Sequence, residues 1–456
     1  MRIPALVLVA LVGLTGCSAP ATQTSPAPSA TASATPTPTA TVPLVLAVHH
    51  SRAPVDVPPA AAEELSRTTA GTWDQLGETV SVVDGRTDPV AALQQVMAGP
   101  GSLALVPVTA VDERVRVLSV GGVDPLLDPA AYPLRMEGPA PVEPTITTVS
   151  IVGDIMLGRR VGRAYADDPT APFRPFAERL AAADVTVGNF EATLSDNGSP
   201  TQGGDSFAAD PAVLAGLELA GFDAVSLANN HLGDYGTTAM LETFTTFEQA
   251  GIGYFGAGAD LDRARTPWIL EHEGVRVGFL GTESIGETPA ATADRPGTNR
   301  LNMPPRTGPL DRAALDRIAA DISALDAEVD TVIVVPHWGT QYTHVSEQSQ
   351  REVAARFAEA GADLVIGGHP HWVQGWEAYG EATVVHSLGN FIFDMEFSRE
   401  VQEGVFVEIV LWDGEVKAVQ PVPYVIEDHV PRPATAVEAA EILADVRGTS
   451  SGPYAG

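Results

Sequence analysis

The chain has 456 residues, with 58 acidic side chains against 26 basic ones and a single cysteine. A formal charge of −32 argues against a nucleic-acid partner and against adhesion to an anionic membrane surface, because both need a basic face. Hydrophobic residues make up 45% and charged residues 18%, so we expect a globular protein with about two or three domains. One cysteine forms no internal disulfide, and it excludes a cysteine-based zinc site or iron–sulfur cluster.

Residues 1–17 have the pattern of a bacterial lipoprotein signal peptide. A short positive start, Met1-Arg2, precedes an apolar run at 3–14 that is too short to span a bilayer as a stable helix. The run ends in Leu14-Thr15-Gly16-Cys17, which resembles the lipobox whose cysteine becomes the lipidated N-terminus. We therefore expect Cys17 to anchor the protein to the cell membrane, facing outside the cytoplasm. An ordinary secretory signal is the alternative.

Residues 18–43 form a linker that is almost entirely Ser, Thr, Ala and Pro and carries no charge. Such a segment buries too little apolar area to offset its ordering entropy. We expect it to act as a tether that holds the folded part away from the membrane.

Residues 44–142 alternate between strand and helix patterns. Strands are predicted at 44–48, 79–83, 103–108 and 115–120, and helices at 60–72 and 89–97. This order indicates a small α/β domain of unknown role, which at 103–134 faintly resembles the end of a lobe of a periplasmic solute-binding protein. His49 and His50 follow the first strand, where a structural role is the more frequent one for histidine.

From residue 144 onward, short apolar strands each end in a cluster of Gly, Asn, Asp or His. The strands are predicted at 146–152, 185–187, 224–227, 331–335 and 364–366, and the clusters directly follow them. Because the carboxyl ends of parallel strands meet at one edge of a sheet, the pattern predicts one site at the edge of a central sheet.

Beyond His371 the pattern becomes mostly strand. Strands are predicted at 372–379, 382–388, 405–412 and 417–424, with Asp413-Gly414 as a type I′ hairpin turn. We expect these strands to build a second sheet against the first. The tail, residues 431–456, has one amphipathic stretch at 434–446, and we expect its small terminal residues to be disordered.

The clusters supply a set of metal-ligand side chains. The histidines are His231, His337, His369 and His371, and the neighbouring oxygen donors are Asp154, Glu191 and Asn230. Neutral imidazoles beside such oxygens suit Mn²⁺, Fe or Zn²⁺, and a carboxylate that bridges two cations would permit two-metal phosphoester hydrolysis. Each residue alone would more often be structural, but their shared position at strand ends favours a site for one or two divalent metal ions.

These clusters, in this order, match a known set of motifs. The motifs are Gly153-Asp154-Ile155-Met156-Leu157-Gly158-Arg159, Gly188-Asn189-Phe190-Glu191, Ala228-Asn229-Asn230-His231 with Asp234 and Gly236, His337-Trp338-Gly339 with Tyr342, His369-Pro370-His371, and Ser387-Leu388-Gly389-Asn390-Phe391. They resemble the CapA family, the poly-γ-glutamate capsule biosynthesis proteins related to calcineurin-like metallophosphoesterases. The resemblance covers about residues 146–425. It implies an α/β fold, the four-layer α-β-β-α metallophosphatase sandwich, for residues 146–430.

The resemblance also assigns ligand roles. Asp154 corresponds to the metal ligand of the first motif, and Glu191 stands where metallophosphatases carry a bridging carboxylate. Ligands of one metal are matched by Asn230, His337 and His369, and a ligand of the other metal is matched by His371.

Further roles concern the substrate. His231 occupies the place of the catalytic histidine that protonates the leaving group, and Asp234 is spaced to orient it. Arg159 is a candidate partner of an anionic substrate oxygen, with a helix-surface arginine as the alternative. Asn189 and Asn390 are the other candidate substrate-binding residues.

Three positions depart from the metallophosphatase pattern. Met156 stands where the first motif has histidine, so one metal lacks a protein ligand. Glu191 is one methylene longer than the usual aspartate, and Gln341 replaces a frequent glutamate. These departures weaken the expectation of a dinuclear centre and leave a mononuclear one possible.

The favoured hypothesis is a lipid-anchored, metal-dependent hydrolase that cleaves a phosphoester or amide bond of an anionic envelope polymer, alongside other capsule-synthesis proteins. Loops 195–206 and 283–305 would select the substrate. The alternative is a non-catalytic capsule component that binds or exports such a polymer, and a third hypothesis is solute binding by residues 44–142. Retention of Asn230, His231 and Asp234 favours catalysis, whereas Met156 favours the non-catalytic role.

Overall fold

The computed structural model describes residues 40–68, 70–73, 79–138 and 143–456. The predicted signal peptide with Cys17, and nearly all of the predicted linker, lie outside these ranges. Residues 40–456 form one compact unit. Within the described ranges, no helix combines the length and the apolar composition needed to cross a membrane.

Residues 40–138 build a sheet with two helices. The strands are β1 (Ala40–His49), β2 (Asp56–Val57), β3 (Ala70–Trp73), β4 (Val80–Asp84), β5 (Ser102–Pro107), β6 (Val115–Val117), β7 (Ser119–Val120) and β8 (Arg135–Gly138), and the helices are α1 (Pro59–Ser66) and α2 (Pro89–Met97). The sheet order is β3-β4-β5-β1-β6, with β8 also paired to β1. Strands therefore occur at the four predicted positions. The helix predicted for 60–72 is too long, because residues 70–73 pair with β4 and include Gly71 and Thr72, which are poor helix formers.

The remaining elements follow in chain order. The strands are β9 (Ile146–Ile155), β10 (Val185–Phe190), β11 (Thr193–Leu194), β12 (Ala208–Ala209), β13 (Ala224–Ser226), β14 (Gly253–Phe255), β15 (Ala257–Gly258), β16 (Trp268–His272), β17 (Val275–Glu283), β18 (Gly297–Thr298), β19 (Thr331–His337), β20 (Leu364–Ile366), β21 (Trp376–Tyr379), β22 (Ala382–Val385), β23 (Asn390–Ile392), β24 (Glu403–Trp412), β25 (Glu415–Glu427) and β26 (Val430–Pro433). The helices are α3 (Arg159–Ala164), α4 (Arg174–Ala181), α5 (Leu214–Leu219), α6 (Gly236–Ala250), α7 (Leu261–Arg265), α8 (Arg312–Asp326), α9 (Gln348–Glu359) and α10 (Ala436–Gly448).

These elements form two facing sheets. The first has the order β14-β13-β10-β9-β24-β25-β26, with β23 also paired to β9, and the second has the order β16-β17-β19-β20-β22-β21. An apolar core between them joins side chains of both sheets, such as Ile151 and Val187 of the first with Phe279 and Ile333 of the second. Both faces of β10 and β19 are buried, as expected for parallel strands covered on two sides.

Helices cover the outer face of each sheet. Phe176 of α4 and Phe247 of α6 belong to the outer core of the first sheet. Ile318 of α8 and Phe357 of α9 belong to the outer core of the second. The layers are therefore helix, sheet, sheet and helix, which confirms the α/β fold class and the α-β-β-α sandwich that the resemblance implied.

The sheet assignment differs from the sequence prediction in two ways. The five motif strands do not share one central sheet, since β9, β10 and β13 lie in the first sheet and β19 and β20 in the second. The strands after His371 are also divided, because β24 pairs with β9 while β21 and β22 extend the second sheet. The hairpin turn is confirmed, since Asp413 and Gly414 have φ values of 50° and 88°.

The C-terminal tail is packed, which corrects the expected disorder. Ile442 and Val446 of α10 and the following Tyr454 belong to the core between the two sheets. Tyr454 is 1% exposed, and its hydroxyl lies 2.5 Å from Oγ1 of Thr383 in β22. One aromatic anchor near the end of the tail thus orders a segment whose composition indicated a free end.

The sheet of residues 40–138 shares its core with the sandwich. Trp412 of β24 and Ala418 of β25 pack among the apolar side chains of that sheet. The indole N–H of Trp412 donates a hydrogen bond to the carbonyl of Leu126 at 2.8 Å. The hairpin of β24 and β25 therefore contacts apolar side chains on both of its faces.

Candidate metal centre

The predicted ligand residues meet where strands of the two sheets end. Asp154 and Glu191 come from the ends of β9 and β10, and both are fully buried. Asn230 and His231 follow β13, His337 ends β19, and the remaining two histidines follow β20. The structure thus brings together residues up to 217 positions apart in sequence from Asp154 to His371.

One ligand group consists of Glu191, His337 and His369, each offering an atom within 4.8 Å of the others. Nε2 of His337 lies 3.8 Å from Oε1 of Glu191 and 2.8 Å from Oδ1 of Asn230. Asn230 therefore stands beside this group and offers it an amide oxygen.

A second ligand group consists of Asp154, Glu191 and His371, with the same 4.8 Å limit between their ligand atoms. Nδ1 of His371 lies 2.9 Å from Oδ1 of Asn390 and 3.7 Å from Oδ2 of Asp154. When Nδ1 carries the proton, Nε2 is the ring nitrogen with a lone pair, and it also contacts Gln341. Glu191 belongs to both groups. Its carboxylate is therefore a candidate ligand in both.

Buried atoms without hydrogen-bond partners support metal binding. Oε1 of Glu191 and both ring nitrogens of His369 are buried and have no partner among the described residues. An unsatisfied buried polar group costs about 1–3 kcal/mol, so several in one cluster need a compensating ligand. A divalent cation satisfies a carboxylate oxygen and an imidazole nitrogen together. The residues present therefore fit a metal.

The pKa shifts of the ligand residues also support metal binding. Burial raises the pKa of Asp154 to about 6. Burial and then the Asp154 charge raise the pKa of Glu191 well above its ordinary value. Burial lowers the pKa of His337 and His369 well below the ordinary value, and lowers that of His371 to about 3. The histidines are therefore neutral ligands, and a cation would stabilise the two crowded carboxylates in their ionised form.

The turn after β20 positions its ligands in an uncommon backbone conformation. His369 and His371 have φ values of 94° and 59°, a region that residues with a Cβ rarely adopt. Gly368 precedes them, and a Cβ there would lie 2.6 Å from Oδ1 of Asp154. The backbone N–H of His369 donates to Oδ2 of Asp154 at 3.1 Å. The close approach of this turn to Asp154 thus requires glycine.

His231 and Asp234 form a hydrogen-bonded pair beside the ligand groups. Nδ1 of His231 lies 2.7 Å from Oδ2 of Asp234, while its Nε2 lies 3.8 Å from Oε1 of Glu191. Asp234 is itself fixed, because its Oδ2 accepts the backbone N–H of Phe207 at 2.7 Å and its Oδ1 accepts from Gln202. The imidazole edge that bears Nε2 is therefore turned toward the shared carboxylate.

Asn189 and Asn390 are in the site but are fully engaged in positioning the ligands. Asn189 donates to Oδ1 of Asp154 at 2.7 Å, and its own Oδ1 accepts from Asn229 at 3.0 Å. Asn390 uses Oδ1 for His371 and donates through Nδ2 to the carbonyl of Val401 at 2.9 Å. Both side chains orient ligands, whereas the sequence suggested substrate contact.

Arg159 lies at the edge of the site, paired with acidic residues. It forms an ion pair with Asp394, and its Nη1 lies 3.9 Å from Asp205. Its guanidinium also lies 4.3 Å above the ring of Phe207, and that ring stacks on His231 at 3.7 Å between centroids. Arg159 is therefore close to the catalytic candidate and already partly neutralised.

Besides Glu191, two positions depart from the motif pattern. Met156 is fully buried in the outer core of the first sheet, and its Sδ accepts the backbone N–H of Gly158 at 3.2 Å. Nε2 of Gln341 lies 3.4 Å from Nε2 of His371. Met156 thus contributes packing, and Gln341 contacts the second ligand group.

Sequence reasoning assigned no role to three residues that support the site. Asn229 accepts the backbone N–H groups of His231 and Leu232 at 3.1 and 3.0 Å, and so shapes the turn that carries the imidazole. Phe207 and Asp394 contact His231 and Arg159 as described above. Asn229 could have been identified because it directly precedes Asn230 and His231, whereas Phe207 and Asp394 lie in loops with no local sequence pattern.

The two facing sheets, their outer helices and the carboxylate of Glu191, which belongs to both ligand groups, define an α-β-β-α sandwich with a candidate metal centre. Residues 148–395 match the family model described as "Bacterial capsule synthesis protein PGA_cap". This match covers more than half of the chain, and the chain belongs to this family of bacterial capsule synthesis proteins.

Individual relatives carry related descriptions. "Capsule biosynthesis protein CapA" of Bacillus anthracis is 32% identical over 321 residues, which cover 68% of this chain and 75% of that protein. "PGA biosynthesis protein CapA" of Bacillus subtilis is 28% identical over 293 residues, 63% of this chain and 74% of that one. A "Probable polyglutamine synthesis accessory protein" of Mycobacterium tuberculosis is 29% identical, covering 56% and 76%.

Solved structures align more distantly. A hypothetical protein from Thermus thermophilus aligns with a TM-score of 0.38 and 17% identity over 63% of this chain and 100% of that one. The NAD nucleotidase of Haemophilus influenzae aligns with a TM-score of 0.35 and 10% identity over 68% and 57%.

Proposed function

We propose that this capsule-synthesis family member is a metal-dependent hydrolase that cleaves either an amide bond of a poly-γ-glutamate capsule or a phosphoester bond of another anionic envelope polymer. One observation carries the proposal: Glu191 belongs to both ligand groups, and its Oε1 is buried without a hydrogen-bond partner and lies 3.8 Å from Nε2 of His231. Metal ligands and an oriented proton donor thus converge on one point, as hydrolysis requires.

The residues of the chain divide the chemistry between them. The ligands of one ion would be Glu191, His337, His369 and Asn230, and those of a second would be Asp154, Glu191 and His371. A divalent cation bound there would supply Lewis-acid stabilisation of negative charge on the reacting oxygen. Asp234 holds Nδ1–H of His231, so a proton on Nε2 is directed toward the leaving group.

An open groove provides an approach to the site. It has a volume of about 690 Å³ and is lined in part by Arg159, Arg160, Arg163 and Tyr342. Tyr342 also stacks beside His371, with the ring centroids 5.9 Å apart, so the groove adjoins the second ligand group. Asp205, Asp394 and Glu396 line the same groove and pair with Arg159 and Arg160, so Arg163 is the basic side chain of this wall that is most available to a polyanion.

We place this activity at the cell surface. The basis is the lipobox-like Leu14-Thr15-Gly16-Cys17 and the uncharged linker that follows it. A lipid on Cys17 would hold the hydrolase at the membrane, where other capsule-synthesis proteins would deliver the polymer. We expect a Cys17→Ser substitution to release the protein from membranes. Cell fractionation of wild type and variant tests this placement.

The second candidate function is binding or export of the polymer without catalysis. It is favoured by Met156, which replaces a metal-ligating histidine and packs in the core. It is also favoured by the ion pair of Arg159 with Asp394, because a paired arginine stabilises transition-state charge less than a free one.

The deciding experiment measures metal content and turnover in the same protein samples. Wild type, His231→Ala and His369→Ala are compared with bis(p-nitrophenyl) phosphate and with γ-glutamyl p-nitroanilide under Mn²⁺, Zn²⁺ and Fe²⁺. The hydrolase proposal expects turnover in wild type, loss of turnover with retained metal in His231→Ala, and loss of both in His369→Ala. Bound metal without turnover under any cation supports the polymer-binding function, and a protein without metal contradicts both.

A further inference from the structure

A second cavity lies among β6, β25 and α10, and shares no residue with the metal centre. It has a volume of about 500 Å³, within the range of small-molecule sites. Its wall includes His50, Arg116, Trp376, Leu443, Arg447 and Tyr454.

The wall of the cavity carries positive charge and no carboxylate from the described part of the chain. Arg116 and Arg447 line it, and neither forms an ion pair with a described acidic side chain, although Asp124 acts on Arg116 at longer range. Burial, and then Arg447, lower the pKa of Arg116 to about 10, so Arg116 stays protonated at neutral pH. Arg52 also lines the cavity, so three guanidinium groups share this wall, and an anionic ligand would offset their charge.

Buried donors in the cavity wall also lack acceptors. Nε of Arg116 and Nε1 of Trp376 have no hydrogen-bond partner within the described ranges, and the two residues are 7% and 1% exposed. The hydrogen bonds that these arginines do form are long and go to uncharged oxygens. Arg116 donates to Oε1 of Gln420 at 3.4 Å, and Arg447 donates to the carbonyl of Ser51 at 3.2 Å. Unsatisfied buried donors in a cavity point to a ligand that brings acceptors.

Apart from Ser51, Arg52 and Ser450, the rest of the wall is mostly apolar. It includes Pro421, Pro423, Ala436, Ala439, Ala440, Leu443 and Val446. The ring of His50 packs against Trp376 and Tyr454 at 5.2 and 4.9 Å between centroids. Because burial and the neighbouring Arg116 lower the pKa of His50 to about 3, this imidazole is neutral and adds no charge. A ligand that fits this wall has a hydrocarbon body.

We propose that this cavity binds an aliphatic carboxylate, with the carboxylate against Arg116 and Arg447 and the hydrocarbon chain against the apolar face of α10. A guanidinium pairs with a carboxylate through two parallel hydrogen bonds, and Trp376 supplies a further donor at the same wall. The apolar surface selects against small inorganic anions, which have no body to bury. This site is independent of the proposed hydrolase activity.

The test is calorimetric titration of the full chain with octanoate, after EDTA treatment so that metal does not contribute. Octan-1-ol is the neutral match, and octyl phosphate tests whether the headgroup must be a carboxylate. We expect saturable 1:1 binding of octanoate, and affinity at least about tenfold weaker for octan-1-ol, because a hydrogen bond to a charged group is lost. Octyl phosphate binding as tightly as octanoate would overturn the carboxylate assignment.

Variants locate the binding site. Arg447→Gln, whose side chain is partly exposed, is expected to weaken octanoate binding by about tenfold. Ala439→Phe keeps the arginines and places a ring in the part of the cavity lined by α10, and we expect it to weaken octanoate binding by at least about tenfold. Ala444→Phe lies on the exposed side of the same helix and should leave binding unchanged. No saturable octanoate binding, or equal binding by wild type and Ala439→Phe, would overturn the proposal.

Discussion

The imidazole of His231 lies between two carboxylates, 2.7 Å from Asp234 through Nδ1 and 3.8 Å from Glu191 through Nε2. The first contact orients the ring, and the second places its other nitrogen at the edge of both ligand groups. Asp234 receives two further hydrogen bonds from the segment 202–207, so the ring orientation depends on that loop. A loop predicted to select substrate thus also fixes the proton donor.

Asp234→Asn is expected to lower kcat by about 100-fold or more, because an amide no longer stabilises the protonated ring. Metal content should stay at the wild-type level, since Asp234 belongs to neither ligand group. Steady-state kinetics and elemental analysis of the same sample check both statements. Asp294→Asn, at an exposed position, is the matched control. An unchanged kcat would show that the contact of Asp234 with His231 does not contribute to turnover.

Metal stoichiometry distinguishes the shared ligand from the others. Glu191→Gln should reduce bound metal at both positions, because its carboxylate belongs to both groups. His369→Ala and His371→Ala should each reduce it mainly at one position, with affinity falling by at least about 10–100-fold, as when outer-shell partners are lost. Elemental analysis after dialysis against Mn²⁺ measures the ratio.

The control for stoichiometry is His272→Ala, a partly exposed histidine of β16 that contacts Asp184 and no ligand group. It should retain the wild-type metal content. Equal loss of metal in His369→Ala and His371→Ala, with no difference in stoichiometry from Glu191→Gln, would contradict two separate ligand groups and indicate one mononuclear centre.

The ligand residues could be predicted from the sequence because their signal is local. Each lies within a few residues of a strand end, in a turn rich in Gly, Asn or Pro, as at His369 and His371. The division of these strands between two sheets had no such signal, since pairing of β24 with β9 joins Val407 to Ile151. Such pairing depends on packing between distant segments, and strand patterns alone do not encode it.

The supporting contacts of the site were missed for the same physical reason. Arg159 and its partner Asp394 are 235 positions apart, and no periodicity connects them. The order of the C-terminal tail depends on Tyr454 entering a core built by other segments, although its neighbours are small and polar. The composition of the tail shows that these neighbours are small and polar, but it does not show which core surface Tyr454 contacts.

Gly368→Ala should impair metal binding by the group of Asp154, Glu191 and His371. The new Cβ would lie 2.6 Å from Oδ1 of Asp154, closer than van der Waals contact allows, so the carboxylate must move. We expect a lower metal content with a circular dichroism spectrum like that of wild type. Gly101→Ala, where a Cβ meets no atom within 4 Å, is the control. Full metal content in Gly368→Ala would show that Asp154 is not held in place by this contact.

The pH dependence of stability should reveal a buried carboxyl between the sheet of residues 40–138 and the sandwich. Glu113 is 5% exposed, and its Oε1 accepts a hydrogen bond from Thr383 at 3.0 Å. Burial raises the pKa of Glu113 from 4.5 to about 7. The folded state therefore holds this proton more tightly than the unfolded state, and the free energy of unfolding falls as pH rises from about 4.5 to about 7.

Glu113→Gln replaces the carboxyl with a neutral amide that still accepts the hydrogen bond from Thr383. In this variant the free energy of unfolding should no longer fall as the pH rises. A pKa raised from 4.5 to about 7 corresponds to about 3 kcal/mol, so the variant should exceed wild type by about 2–3 kcal/mol at pH 8. Near pH 4.5 the two proteins should be nearly equal, because Glu113 is then protonated in the folded state. Urea unfolding at both pH values measures the difference, with the exposed Glu137→Gln as control. A difference that does not change with pH would mean that the pKa of Glu113 is the same in the folded and unfolded states, and that burial does not raise it.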